Sequence, residues 1–151
     1  MQGNQYFVLA VDDYGRYVTV NPIKKKDEAS QYVRDYLTYL IARGRTPESI
    51  RIDGGGEFDN KDLRDWCRSK GIVMEFTAPE SSAQNGVAER MNRTLVELAR
   101  TMLKARNLPF YLWDLAVVHA AYLRNRTHTN ALEGRTPYQL WEDKKPDVSH
   151  L

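Results

Sequence analysis

A mixed α/β layered fold is what the sequence predicts, and three observations predict it. Short apolar and β-branched runs open the chain, at Tyr6 to Val11 and again to Ile23. From Asp27 the apolar spacing changes from alternation to steps of three and four, the helical period. Strand-like and helix-like segments then alternate as far as Phe76, after which only helical patterns follow.

Taken in order, Tyr6 to Val11 (YFVLAV) is a continuous apolar run and reads as a buried strand. Asp12 to Gly15 is a turn, and Arg16 to Ile23 alternates as a second strand antiparallel to the first. Ala29, Tyr32, Val33, Tyr36, Leu37, Leu40 and Ile41 define an amphipathic helix, with Asp27 as its expected cap and Gly44 as its stop. Ser49 to Asp53 is a short strand. Leu63, Trp66 and Cys67 mark a helix capped near Asp59 or Asn60 and ended by Gly71. Ile72 to Phe76 is another strand, and Pro79 to Gly86 is expected as a loop. A long helix from Val87 to about Asn107 turns Val87, Met91, Leu95, Leu98, Met102 and Leu103 to the core. Pro109 opens a helix to about Arg126 that carries Trp113, Leu115, Ala116, Val117, Ala120 and Leu123, and Thr136-Pro137 starts a short terminal helix.

Composition narrows the classes of function. At 151 residues, with 42% apolar and 28% charged residues, the chain is expected to be a single domain with a core of its own. No apolar run approaches the ~18 residues of a membrane span, and no signal-peptide pattern opens the chain. The single cysteine, Cys67, excludes an internal disulfide framework and a cysteine zinc cluster, and fits a reducing compartment. His119, His128 and His150 are not spaced as a ligand set. Net charge is +2, but Arg90, Arg93, Arg100, Lys104 and Arg106 face only Glu97 between positions 90 and 106. That run is either a solvated helix face or a phosphate-binding one.

Two acids stand out. Asp53 ends a strand and three glycines carry the chain onward into a helix, not into a hairpin. Ligands bind at the carboxyl ends of strands in layered α/β sheets. Asp-Gly is also good turn chemistry, so the segment alone leaves both readings open. Glu89 opens the long helix on this reading, where the positive end of the helix dipole favours its ionised form. Thirty-five residues, 54 to 88, separate the two acids. Asn92, Arg93, Val96 and Arg100 follow Glu89 at three, four, seven and eleven residues and share its helix face.

With that separation, and with the stretches YFVLAVDDYGRY, DGGGEF, QNGVAERMNRTLVELARTML, AAYLRNR and RTPYQLWEDKKPDVSHL, the chain resembles the catalytic core of integrases of the copia-type LTR retrotransposons. The similarity runs over nearly the whole chain, and the segment from about 127 to 151 is specific to that branch. The resemblance implies a ribonuclease-H-like mixed sheet flanked by helices, and a polynucleotidyl transferase that processes 3′ ends and joins element DNA to target DNA. It implies that Asp53 and Glu89 are catalytic and hold Mg²⁺ (or Mn²⁺), that Asn92, Arg93 and Arg100 contact DNA, and that Gln84 and Asn85 form a loop clamping the terminal nucleotides. In-line attack on a phosphodiester suits two hard cations held by carboxylates, with no histidine or cysteine needed.

The resemblance further implies a third acid on a central strand that precedes Met1. Asp12 and Asp13 match the end of the second strand and its turn, so both are expected as turn residues. The chain is therefore expected to be a partial core, 1–151, cut from a polyprotein, or a decayed or domesticated remnant. Its partners are expected to be DNA and further copies of itself, with no membrane and no small-molecule substrate. It is expected to be made in the cytoplasm and to act in the nucleus. The rival reading is a catalytically inactive remnant that binds DNA or a protein partner.

Overall fold

A computed structural model describes residues 3–52, 56, 58–77 and 82–150, with the backbone alone described for residues 82–85. Its elements, in chain order, are strands β1 (Tyr6–Val11) and β2 (Val18–Ile23), helix α1 (Glu28–Ala42), strand β3 (Ser49–Ile52), helix α2 (Lys61–Ser69), strand β4 (Val73–Phe76) and helices α3 (Ser82–Ala105), α4 (Trp113–Arg126) and α5 (Pro137–Glu142). Short 3-10 turns at Phe110–Leu112 and Asn130–Leu132 precede α4 and α5. This is the mixed α/β fold expected, and its strands form two two-stranded sheets, β1 with β2 and β3 with β4. The chain divides into two compact units. One is built from Leu9–Pro22 and Val87–Leu151, the other from Gly3–Val8 and Ile23–Gly86, and the β1–β2 hairpin contributes to both.

In the second of these units, Val8, Ile23 and Ala29 form a buried apolar cluster with Tyr32, Val33 and Phe58 against it. α1 forms because its apolar positions recur at helical spacing, and Ala29, Leu37 and Leu40 are the ones it buries. Asp27 occupies the cap position without a side-chain bond to the helix, because its own backbone is already helical (φ −66, ψ −19). A capping side chain needs an extended backbone to reach back to the first turn. Gly44 stops the helix as expected, at φ +69, where a glycine avoids the Cβ penalty. The Arg45 N–H then closes back onto the Leu40 carbonyl.

β3 and β4 run parallel in register, Ser49 opposite Val73 through Ile52 opposite Phe76. α2 makes the crossover and packs on β4, burying Leu63 and Cys67. Asn60 caps it, accepting from the Leu63 N–H at 2.7 Å. Thr77 extends the ladder: both its backbone N–H and its hydroxyl donate to the Ile52 carbonyl, at 3.1 and 2.9 Å.

In the other unit, α3 buries Met91, Leu95, Ala99 and Leu103, a stripe stepping by four. Leu98, expected in that core, is 37% exposed, and Leu115 on α4 is 57% exposed. The i, i+4 stripe rotates off a face that includes position 98, and Ala116, Val117, Ala120 and Ala121 carry the packing of α4 instead. α5 packs on α4 and begins with a full capping box. The Gln139 N–H donates to Thr136 Oγ1 at 3.1 Å, while the Thr136 N–H donates to Gln139 Oε1 at 2.8 Å. Asn125, buried on α4, reaches back 107 residues to β2. Its Oδ1 accepts from the Val18 N–H at 2.9 Å and its Nδ2 donates to the Val18 carbonyl at 2.8 Å. No helix among the described residues is long and apolar enough to cross a membrane.

Candidate functional site

α3 is amphipathic in the plain sense: one stripe is buried and the opposite one is charged. Glu89, Asn92, Arg93 and Arg100 all lie on its exposed side. Spacings of three, four and eleven keep them on one face of a 3.6-residue helix. The structure thus brings these four residues together on one helix flank. Among the described residues none of the four makes an ion pair or a side-chain hydrogen bond. That sets them apart from Arg51, Arg64 and Arg68, which pair with Glu75, Asp59 and Asp65.

The helix starts earlier than the sequence suggested. It begins at Ser82, so Gln84, Asn85 and Gly86 belong to α3 and not to a loop. The expectation of a clamping loop at Gln84–Asn85 is corrected to that extent, and the side chains of both residues lie outside what is described. One consequence concerns Glu89. It sits seven residues into α3, about two turns from its start. The dipole field is felt within the first turn only, so it does not act on Glu89 as expected. The glycine at 86 costs helix stability relative to alanine, which is why the sequence read as a break.

Asp53 lies outside the described residues. The structure carries the chain to Ile52, the last residue of β3. Asp53 therefore directly follows the carboxyl end of a parallel strand, the position at which ligands bind in such sheets.

Asp12 and Asp13 are turn residues, as expected. The Asp12 carboxylate accepts from the Gly15 N–H and its carbonyl from the Arg16 N–H. Asp13 pairs with Arg16 at 2.6 Å. Both carboxylates are thereby committed to the β1–β2 connection. Among the described residues no three acids, histidines or cysteines converge as a metal centre. Tyr122 Oη meets His150 Nε2 at 2.7 Å, and His128 Nδ1 contacts the Gly134 carbonyl, so both rings have structural partners.

A second feature flanks α3. Arg16, Arg90 and Arg124 line an open cavity of about 300 Å³, with Thr94, Thr129 and Met91 among its walls. The sequence had placed Arg90 in the basic run but gave no signal for Arg16 or Arg124, which come from the β1–β2 turn and from α4. Burial holds the Arg124 guanidinium below its ordinary pKa, since the charged form loses hydration there.

Comparison with known proteins bears on this architecture. The family described as the integrase core domain matches residues 1–82, more than half of the chain. The retrovirus-related Pol polyprotein from transposon TNT 1-94 of Nicotiana tabacum is 40% identical over 153 residues, covering 100% of this chain and 11% of that protein. The Pol polyprotein from transposon RE2 of Arabidopsis thaliana is 30% identical over 148 residues, covering 97% of this chain and 10% of that protein. The chain thus spans about a tenth of the length of the curated relatives it matches. Among solved structures, the cryoEM structure of the simian T-cell lymphotropic virus intasome in complex with PP2A regulatory subunit B56 gamma superposes with a TM-score of 0.72. It covers 96% of this chain and 52% of that one at 23% identity, and shows the fold alone. The HTLV-2 integrase catalytic core domain in complex with magnesium, in a trimeric form, gives a TM-score of 0.63 at 25% identity, covering 85% of this chain and 79% of that one. On its family match, its retrotransposon relatives and the ribonuclease-H-like α/β fold it shares with retroviral integrase cores, the chain belongs to the integrase core domain family.

Proposed function

We propose that the chain is the catalytic core of a copia-type retrotransposon integrase, which processes 3′ ends and joins element DNA to target DNA. The observation that carries this reading is the stripe of Glu89, Asn92, Arg93 and Arg100 on one exposed flank of α3, uncommitted to any other described residue. A carboxylate with no protein partner is an available hard-oxygen ligand, which fits Mg²⁺ or Mn²⁺ and not a softer metal. Glu89 and Asp53 would hold that cation. When bound, it stabilises the attacking and leaving oxygens of an in-line displacement at phosphorus. Asn92 and Arg93, a turn beyond Glu89, orient the DNA end, the guanidinium offering a fork that matches phosphate oxygens. Arg100 extends the contact along the backbone, and Gln84 and Asn85, at the start of α3, engage the terminal nucleotides. Membership of the integrase core family supports DNA as partner, and the likeness to a magnesium-bound trimeric core supports magnesium as cofactor and assembly of more than one copy, since integration joins two ends. The same reading places synthesis within a polyprotein in the cytoplasm and action in the nucleus.

A second reading, an inactive remnant that binds DNA or a partner, is favoured by one observation: the Asp12 and Asp13 carboxylates are committed to a turn. A strand-transfer assay in Mg²⁺ separates the two, run on the chain alone and on the chain carried in its parent reading frame. Activity in the longer protein, lost on Asp53→Asn or Glu89→Gln, supports the first. DNA binding without transfer in either form supports the second. Transfer by the chain alone, abolished by Asp12→Asn, overturns the assignment of Asp12 to the turn.

A further inference from the structure

The cavity beside α3 has a composition that ordinary packing does not require. Three arginines line it from separate segments: Arg16 from the β1–β2 turn, Arg90 from α3 and Arg124 from the last turns of α4. Arg16 is held there by a backbone at φ +56, a conformation that side chains other than glycine rarely adopt. Of the three, Arg16 pairs with a carboxylate among the described residues, Asp13. Among the described residues Arg90 and Arg124 make no ion pair. Arg90 is exposed, but Arg124 is half-buried, and a half-buried cation without a counter-charge is costly unless an anion answers it. The loss of hydration at Arg124 points the same way.

We infer that this cavity seats a phosphate of the nucleic-acid backbone, a contact point distinct from the Glu89 flank of the same helix. A backbone phosphodiester suits it, because its two non-bridging oxygens splay tetrahedrally and can each accept from a different guanidinium fork. Thr129 adds a hydroxyl to the walls, whereas Thr94 Oγ1 already donates to the Arg90 carbonyl and has no proton left for an anion. Met91 supplies an apolar patch against which a sugar can rest. About 300 Å³ of open space exceeds a lone phosphate and admits the sugars on either side of it. Arg90 and Glu89 are adjacent in sequence, so on a helix their side chains diverge by about 100°. The two flanks therefore address different stretches of one strand or of two.

The inference rests on the reading of the chain as a DNA-processing core, and the test keeps the two apart. Binding of a short fluorescent duplex to the 151-residue chain is measured by anisotropy over a salt series, for wild type, Arg90→Ala and Arg124→Met. Arg90→Ala keeps a good helix former at an exposed site, so folding is retained. Arg124→Met keeps length and apolar stem without the charge, and its thermal midpoint is expected to stay level or rise. Each arginine variant is expected to weaken duplex binding by about fivefold or more and to lower the slope of log K against log salt by about one. Arginine variants with unchanged affinity and slope overturn the phosphate seat, while the integrase reading stands or falls separately on strand transfer by Glu89→Gln in the longer protein. A wild-type chain with no duplex affinity also overturns the seat. A ³¹P titration with inorganic phosphate distinguishes the source: binding lost in Arg90→Ala, with duplex affinity intact, assigns the cavity to free phosphate and overturns the nucleic-acid assignment.

Discussion

The two compact units hold themselves together by different means. In the unit of Gly3–Val8 and Ile23–Gly86, the interior is an apolar cluster beside a parallel two-strand ladder, and charge is handled outside by exposed pairs: Arg51–Glu75 at 3.0 Å, Arg64–Asp59, and Arg68–Asp65 at 3.6 Å. In the unit of Leu9–Pro22 and Val87–Leu151, three polar side chains are buried, Asp114, Asn125 and Thr136. Two of them tie elements through paired bonds to backbone or to a capping partner. Arg126 adds to this, its guanidinium lying 3.5 Å from the Tyr122 ring centre and 4.4 Å from that of Tyr138. The first unit leans more on pattern, with Thr77 its one buried polar side chain among the described residues, and the second more on particular side chains. An apolar core tolerates substitution that keeps volume, whereas a buried amide has few replacements.

The contrast is broken most strongly by truncating the apolar unit. Leu63, 1% exposed on α2, is expected to cost about 2–5 kcal/mol on change to alanine, read by urea unfolding. Leu63→Met should recover most of it. Asn125→Ala is expected to cost about 2–4 kcal/mol, because it strands both the N–H and the carbonyl of Val18. Here no conservative exchange should rescue: an aspartate accepts from the N–H but cannot donate to the carbonyl. A rescue by Asn125→Leu would erase the distinction between the units. Thr136→Ala removes one arm of the capping box, at about 1 kcal/mol, and Thr136→Ser should restore it. Glu75→Gln, at the half-exposed Arg51 pair, should change stability by less than about 1 kcal/mol, and not at all in high salt. The smallest effect is at Cys67, where burial pushes the thiol up from its ordinary pKa. The unfolded chain then gives up this proton first, so stability should fall as pH rises past roughly 8.5. The difference between wild type and Cys67→Ala in alkaline unfolding isolates it.

The same division explains what the sequence revealed. β1, α1, α2 and α4 lie within a few residues of where periodicity put them, since the apolar spacing that forms them is written locally. Gly44 and Gly71 marked helix ends because a positive φ is needed there. Thr136-Pro137 announced α5, as a cap and a preset first turn. Where α3 begins was not legible, since Gly86 looks like a break and nothing local says that the backbone runs through it. Leu98 was assigned to the core by hydrophobicity, but which apolar residue faces inward depends on the neighbouring helix. Asn125 carried no signal: its partner is 107 residues away. The stripe after Glu89 was readable because it is one helix, whereas Arg16, Arg90 and Arg124 meet only through the fold.

The bonds of Asn125 have a consequence for association. Just before β2 the Tyr17 carbonyl accepts from the N–H of Asp12, just after β1, so the N–H and carbonyl of Val18 turn the other way. That is the outer rim of a two-stranded sheet, where an unpaired row of backbone groups invites another chain to add a strand. The amide of Asn125 fills the Val18 position as a single-residue imitation of such a strand. It thereby closes the rim at Val18 to a neighbouring strand.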